Sequence, residues 1–144
     1  MIECGTYLGV SAKVMLAANP RLHLWVVDHF KAFAWNKEVC CHFLKDEIFQ
    51  GRCEVIEGDS QRAMEMLGRH MTGKIDGIWI DDGHAVEDLQ RDIRCLMPLL
   101  SPKGVMWGHD FDVPYNDVAQ GVLSMIPKDQ LTFPVPRVWE WRHR

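Results

Sequence analysis

Short apolar runs of β type alternate with segments of helical periodicity along the whole chain, and this alternation constrains the fold more than any other feature. The candidate strands are residues 22–27, 53–57, 75–80 and 104–108, each followed by an acidic or glycine-containing turn. Short runs that are apolar throughout are typical of strands that helices cover on both faces. The alternation therefore predicts an α/β fold built on a parallel sheet.

Helical spacing of apolar residues marks the segments between and after these strands, at residues 11–18, 37–49, 60–69, 85–100 and 116–125. The segment 85–100 is the most regular, because its apolar side chains step by three and four and form one stripe. We expect this stripe to pack on the sheet and the polar positions to face water. Those polar positions are Glu87, Asp88, Arg91 and Asp92. The proline-broken tail, residues 131–141, predicts two short strands at a sheet edge.

Length and composition exclude several classes of protein. A chain of 144 residues has the size of one domain, residues 1–144. Its formal net charge of −4 offers no basic surface to a phosphate backbone, so we expect no nucleic-acid partner. No apolar run reaches the roughly 20 residues that cross a bilayer, and the first residues lack signal-peptide features, which predicts a cytoplasmic protein without membrane contact. Five cysteines without a Cys-x-x-Cys pair predict reduced thiols.

A glycine turn and an acidic strand end mark a candidate nucleoside site. Glu3, Gly5 and Gly9 form an acid followed by a Gly-x-x-x-Gly pattern, where a first strand would turn into a first helix. Glycines let the backbone approach a ligand closely, and a helix start offers free N–H groups. Asp28 closes the next apolar run, where an acid can bind both ribose hydroxyls, although close packing and helix capping also explain such residues. Their order and spacing favour a nucleoside ligand that carries an amino group.

Two further segments have two interpretations each. Asp59 and Ser60 follow the second candidate strand, at the place expected for an adenine edge, but helix capping explains them without a ligand. The stretch 29–36 carries three aromatic residues without a clear period. It predicts either a loop over a site or aromatic packing under a helix.

Acids and imidazoles follow two successive strands of the predicted sheet. Asp81 and His84 come after the third candidate strand, and His109 and Asp110 come after the fourth. Because the carboxyl ends of neighbouring parallel strands meet at one edge, we expect these side chains to converge in one crevice. Several like charges in one place favour a bound cation, with helix caps and solvated turns as the alternative. The cluster therefore predicts a divalent-metal site.

The ordered set of motifs resembles the class I S-adenosylmethionine-dependent methyltransferase superfamily, and within it the small-molecule O-methyltransferases akin to catechol, caffeoyl-CoA and macrocin O-methyltransferases. The most specific parts are residues 2–11, 75–84 and 99–104, with the His109-Asp110 pair that follows. The resemblance implies a Rossmann-like, doubly wound, mostly parallel sheet with helices on both faces, shortened at the N-terminus. It also implies metal-assisted O-methylation of a small hydroxyl-bearing acceptor.

The same resemblance implies a role for each motif residue. One turn would hold the methionine end of the donor, and the following strand ends would hold its ribose and adenine. In chain order these cofactor-binding residues are Glu3, Gly5, Thr6, Gly9, Ser11, Asp28, Asp59, Ser60 and Asp81.

The implied metal ligands are Asp81, His109 and Asp110. Mg²⁺ or Mn²⁺ is the first expectation, and Zn²⁺ or iron is the alternative, because His109 stands where relatives usually place an acid. His84 stands where catechol-type enzymes carry a lysine base, and a neutral imidazole can take a hydroxyl proton. His84 and Asp81 are therefore the catalytic candidates.

Alternatives remain for the assembly and for the function. The chain begins almost on the glycine turn, so the helices that relatives place upstream to cover the substrate are missing. A homodimer whose partner subunit completes the site is one explanation, and a truncated start is the other. A metal-dependent hydrolase or oxygenase would use the acids and imidazoles of the metal cluster without needing Glu3 or Asp28. A non-catalytic S-adenosylmethionine-binding subunit is the second rival.

Overall fold

The computed structural model describes residues 1–112 and 116–142 and contains one seven-stranded sheet with helices on both faces. The strands, in chain order, are β1 Ile2–Cys4, β2 Leu24–Asp28, β3 Cys53–Glu57, β4 Ile75–Ile80, β5 Leu100–Gly108, β6 Leu131–Val135 and β7 Val138–Arg142. The helices are α1 Val10–Ala18, α2 Asn36–Phe43, α3 Lys45–Phe49, α4 Ser60–Leu67, α5 Val86–Leu96 and α6 Asp117–Met125.

The spatial order of the strands is β3-β2-β1-β4-β5-β7-β6. The first five strands pair in parallel, and β7 pairs antiparallel with both β5 and β6. Although β1 has only three residues, it lies at the centre of the sheet, between β2 and β4. The chain changes direction across the sheet at β1 and β4, and ligands bind at such a switch point in open α/β sheets. The predicted doubly wound α/β fold is confirmed.

Each face of the sheet has its own apolar core. One core joins α4, α5 and α6 to the sheet through buried residues such as Ala63, Ile93 and Val122. The other joins α1 and α2 to the opposite face, where Leu16 and Cys40 pack. No helix within the described residues is long and apolar enough to span a bilayer.

Several predicted boundaries change where tertiary packing intervenes. The predicted helix 37–49 is two helices, because the chain turns at Leu44 and places that side chain, 0% exposed, beside Gly9. The predicted helix 85–100 ends at Leu96, and residues 97–99 form a 3-10 turn that contains Pro98. Proline lacks the N–H that an α-helix interior needs, which explains the earlier end. Strand β5 then begins at Leu100, four residues before its prediction, because Leu100 pairs with Ile75 ahead of a bulge.

The expectation that Asp92 faces water is wrong. Asp92 is 0% exposed, and its Oδ1 accepts a hydrogen bond of 2.7 Å from the Ser60 hydroxyl and one of 3.2 Å from Arg91. Burial raises the pKa of Asp92, and these hydrogen bonds oppose the shift. The side chain therefore ties α5 to the start of α4. The predicted tail, by contrast, does form two short strands at one side of the sheet, with β6 at the edge and β7 between β6 and β5.

Candidate functional site

Five parallel strands place an acid at the same edge of the sheet. Their register pairs Cys4 with both Val27 and Ile80, and Ile80 with Gly108, so the strand ends are level with one another. The acids at or just beyond these ends are Glu3, Asp28, Asp59, Asp81 and Asp110. The sequence-predicted residues therefore lie along one edge, with β1 and β4 in the middle.

Glu3 is a buried carboxylate at the switch point. Its side chain is 0% exposed, and Oε2 accepts a hydrogen bond of 2.7 Å from the Thr6 hydroxyl. Among residues 1–112 and 116–142, Oε1 has no hydrogen-bond partner of normal geometry, although the Ser11 hydroxyl lies close enough to affect the carboxyl. Burial raises the pKa of Glu3, while Ser11 and Thr6 oppose the shift. An ionised carboxylate in this position needs a cationic partner.

Close packing, as well as ligand binding, explains why the turn has glycine at two positions. Gly5 has φ +86°, and a Cβ there would lie 2.0 Å from the backbone oxygen of Asp81. Gly9 has φ +81°, and its Cβ would lie 3.1 Å from Sγ of Cys40. No described side chain caps the start of α1, so its first N–H groups are available to a ligand. Close packing thus demands the glycines, and the uncapped helix start is what a ligand could use.

Asp28 connects two turns of the site. Its Oδ2 accepts a hydrogen bond of 2.7 Å from the backbone N–H of Tyr7, and its Oδ1 accepts one of 2.6 Å from that of Phe30. Both donor residues have φ +53°, a conformation that non-glycine residues rarely adopt. Each carboxylate oxygen retains a second lone pair that can accept from a ligand hydroxyl.

Asp59 and Ser60 have structural partners. Asp59 caps α4, because its Oδ1 accepts a hydrogen bond of 2.9 Å from the Arg62 N–H, which lowers the pKa of Asp59. Ser60 is 0% exposed and its hydroxyl points to Asp92. Helix capping therefore accounts for Asp59, whereas Ser60 is held by its hydrogen bond to Asp92. Adenine contact by this segment stays a prediction.

The stretch between β2 and α2 combines both of its interpretations. Phe30 is buried in the core that faces α1. Phe33 and Trp35 stack on each other with ring centroids 5.1 Å apart and remain about half exposed. The stretch is thus anchored by one aromatic residue and presents two others to solvent.

Asp82 is a further, partly buried acid of this edge. Burial raises the pKa of Asp82 to about 6, and the neighbouring carboxylates of Asp92 and Asp28 contribute to the shift. Several acids at this edge thus lie close enough to raise one another's pKa values. Such a site favours a ligand that brings positive charge.

Three of the acids and imidazoles could share one cation. One ligand atom from each of Asp81, His84 and Asp110 lies within 4.8 Å of the other two. Burial raises the pKa of Asp81, and His109 opposes this shift. The donors fit one divalent ion, and a mixed carboxylate and imidazole set suits Mn²⁺, Zn²⁺ or iron as well as Mg²⁺. In this group His84 takes the position that the sequence assigned to His109.

Asp110 already has several partners within the protein. Its Oδ2 lies 2.7 Å from Nε2 of His84, and its Oδ1 lies 3.1 Å from Nδ1 of His109 and contacts the guanidinium of Arg137. Burial would raise the pKa of Asp110, but the hydrogen bond to His84 and the charges of His109 and Arg137 hold that pKa below its ordinary value. Asn116 donates a 2.6 Å hydrogen bond to the Asp110 carbonyl.

Arg137 is a site residue that the sequence did not predict. Arg137 lies at the tip of the β6–β7 hairpin and also pairs with Asp112, at 3.0 Å. The antiparallel pairing of β7 with β5 carries this tip to the carboxyl end of β5. The only signal in the sequence was a basic residue between two edge strands, which is too common to assign a role.

An apolar cavity adjoins the acidic cluster. It has a volume of about 530 Å³ and is lined by Phe111, Lys128, Phe133, Pro134, Val135, Pro136 and Arg137. Phe111 and Phe133 pack at 4.9 Å between ring centroids. Arg137 belongs both to this wall and to the ion pairs with Asp110 and Asp112. A second cavity, of about 430 Å³, includes none of the sequence-predicted site residues in its lining.

Comparison with known proteins identifies the fold and the family. CalS11, a TDP-rhamnose 3′-O-methyltransferase of calicheamicin biosynthesis, superposes with a TM-score of 0.74 at 18% identity, over 99% of this chain and 70% of its own. A candidate caffeoyl-CoA O-methyltransferase from Staphylococcus aureus gives 0.69 at 17% identity, over 96% and 72%. A candidate O-methyltransferase from Klebsiella pneumoniae gives 0.70 at 20% identity, over 99% and 72%. At these identities the likeness establishes the fold alone.

The family follows from the sequence. No curated protein matches the chain. The profile of a family described as "Methyltransferase domain" matches residues 2–111, which include β1 to β5 and all residues predicted to bind donor or metal. This match does not favour a hydrolase or an oxygenase. The chain therefore belongs to this methyltransferase-domain family, within the class I S-adenosylmethionine-dependent methyltransferases.

Proposed function

We propose that the chain, as one domain, transfers the methyl group of S-adenosylmethionine to a hydroxyl oxygen of a small acceptor, with the help of a divalent cation. The observation that carries this proposal is the buried carboxylate of Glu3, which keeps one oxygen without a partner of normal geometry among the described residues at the switch point. The donor has a charged amino group and a sulfonium, and either would supply the missing positive charge. Elsewhere along the edge, burial raises the pKa values of Asp81 and Asp82, and a nearby cation would stabilise their ionised forms.

The donor would lie across the ends of β1 and β2. Its amino group would face Glu3, its carboxylate would meet the uncapped start of α1, and its ribose hydroxyls would donate to Asp28. Asp28 is held in place by the N–H groups of Tyr7 and Phe30, so its orientation is set before the donor arrives. Preorganisation of this kind reduces the entropy that binding costs.

Asp81 and Asp110 would hold the cation, with an imidazole beside them. A bound divalent ion lowers the pKa of an acceptor hydroxyl and fixes its position. The residues of this chain would then orient the acceptor and receive its proton. His84 is the candidate proton acceptor, because its side chain is 61% exposed and Asp110 orients its ring.

The apolar cavity beside Arg137 would hold the body of the acceptor. Its volume of about 530 Å³ lies within the roughly 300–1,000 Å³ that small-molecule sites occupy. Two aromatic side chains and two prolines line it, which favours an acceptor with an apolar face. Its hydroxyl would project towards Asp110, which is joined to the cavity wall by the ion pair with Arg137.

The test combines donor binding with product analysis. S-adenosylmethionine and S-adenosylhomocysteine are titrated into the protein by calorimetry, and donor turnover is then followed with a panel of phenols and sugar alcohols in the presence of Mg²⁺ or Mn²⁺. We expect both ligands to bind and an O-methylated product to be detected by mass spectrometry. Binding of neither ligand would refute the proposal. Binding without turnover of any acceptor would instead support the non-catalytic binding subunit.

A further inference from the structure

Two strained residues face each other at the candidate cation site. Asp110 has φ +60° and Arg137 has φ +66°, and both are non-glycine residues in the left-handed region. Such conformations persist only where surrounding contacts hold them, and they are concentrated at functional sites. Here the contacts include a 2.6 Å hydrogen bond from Asn116 to the Asp110 carbonyl and a 3.0 Å bond from the Phe111 N–H to the Arg137 carbonyl.

The same two residues are joined by their charges. The Arg137 guanidinium contacts Oδ1 of Asp110 through one nitrogen and Oδ2 of Asp112, at 3.0 Å, through another. Because His84 takes the other oxygen of Asp110, both carboxylate oxygens are engaged. One backbone hydrogen bond and two ion pairs therefore hold the tip of the β6–β7 hairpin against the loop that follows β5.

We propose that Arg137 guards the cation site, so that a divalent ion must displace its guanidinium from Asp110 to bind. The inference rests on the cation site of the proposed function, and it concerns when that site is available. A guanidinium supplies positive charge to Asp110 but offers no electron pair, so it neutralises the carboxylate and also repels an incoming cation.

Displacement of the Arg137 guanidinium would also affect the acceptor cavity. Arg137 lines that cavity beside Phe111, and its backbone carbonyl is bonded to Phe111. Release of the guanidinium from Asp110 would leave Asp112 as its remaining carboxylate partner among the described residues and would change the position of a side chain that lines the cavity. Metal loading and acceptor binding are thus connected through one side chain.

The test measures metal binding directly. Mn²⁺ is titrated into the parent protein, Arg137→Gln and Arg137→Lys, with free Mn²⁺ measured by electron paramagnetic resonance. We expect Arg137→Gln to bind Mn²⁺ at least about fivefold more tightly, a change of about 1 kcal/mol, and Arg137→Lys to lie between it and the parent. Arg142→Gln is the matched control, because Arg142 also lies on the hairpin but pairs with Glu140. Its Mn²⁺ affinity should equal that of the parent.

The possible results separate the two proposals. Unchanged or weaker Mn²⁺ binding in a folded Arg137→Gln, or absence of binding in parent and variant alike, would overturn the guarding role. Equal tightening in Arg142→Gln would also overturn it, because the effect would then come from overall charge. S-adenosylhomocysteine affinity, measured on the same samples, reports on the proposed function independently. Thermal unfolding of each variant establishes that the compared proteins are folded.

Discussion

Replacing Glu3 by glutamine should stabilise the fold while weakening donor binding. Burial raises the pKa of Glu3 above its ordinary value of 4.5. The stability that the protonated form provides is therefore fully present below pH 4.5. It is lost as the pH rises through the folded-state pKa, so the titratable carboxyl lowers stability at neutral pH relative to acidic pH. Glutamine keeps the shape and can accept the Thr6 hydrogen bond, but carries no charge.

The magnitudes follow from the contacts of Glu3. An unpaired buried amide still costs about 1–3 kcal/mol, so we expect a net gain of only about 1 kcal/mol at pH 7. The gain should shrink as the pH falls towards 4.5. Loss of a hydrogen bond between two charged groups costs roughly 1.5–3 kcal/mol, which weakens S-adenosylhomocysteine binding roughly 10- to 100-fold.

Urea unfolding at pH 7 and pH 5 checks the predicted gain in stability, and calorimetric titration of S-adenosylhomocysteine checks the predicted loss of affinity. Glu57→Gln is the matched control, because Glu57 ends β3 on the same edge but is 55% exposed and paired with Lys37 at 2.7 Å. It should change stability by less than about 0.5 kcal/mol and leave donor affinity unaltered. A Glu3→Gln protein that loses stability and binds the ligand like the parent would refute the reasoning, since Glu3 would then act only through Thr6.

Three further predictions concern neighbouring acids. Asp28→Ala should weaken S-adenosylhomocysteine binding at least about tenfold in calorimetry, because charge-assisted hydrogen bonds worth roughly 1.5–3 kcal/mol each are lost. Asp82→Asn should raise the free energy of unfolding at pH 7 by roughly 1–2 kcal/mol after allowance for solvent screening, because burial raises the pKa of Asp82 to about 6. That gain should disappear below pH 3.8, the ordinary pKa of an aspartate, because the protonated form stabilises the parent there. The contribution of the protonated form is lost as the pH rises through about 6, and urea unfolding across this range measures the change. Asp81→Ala/Asp110→Ala should abolish metal binding and methyl transfer, measured by metal content and donor turnover, whereas normal metal loading would show that both acids are structural.

The fold was predictable because strand and helix patterns are local. Runs such as 53–57 and 75–80 are short, mainly apolar and rich in β-branched residues, and both strands have the predicted bounds. The predictions fail where contacts outside the local sequence pattern determine the structure. Asp92 is polar by type, yet it is buried, and Ser60 and Arg91 both donate hydrogen bonds to its Oδ1. Leu44 lies within a helical pattern, but its burial beside Gly9 turns the chain.

The site was predictable as far as parallel strand order determines it. Acids after consecutive strands meet at one edge in any doubly wound sheet, and Asp81 and Asp110 do so here. The donor atoms that lie within 4.8 Å of one another include one from His84, whereas His109 lies 3.1 Å from Asp110 outside that group, and which imidazole binds a cation stays a prediction. Arg137 enters the site through antiparallel pairing of the last strand, and no local pattern encodes that pairing.

If Asp28 binds the donor ribose as proposed, the two hydrogen bonds that it accepts from Tyr7 and Phe30 limit how the protein could be engineered for modified donors. A donor analogue with an altered ribose calls for a different side chain at Asp28, but that same change frees two turns whose residues have φ +53°. Recognition and local backbone geometry would therefore be altered together. Glycine at position 7 adopts positive φ without strain, and Tyr7 is about half exposed, whereas Phe30 is buried in the core and its side chain is needed there. A redesign of ribose selectivity should therefore begin with position 7.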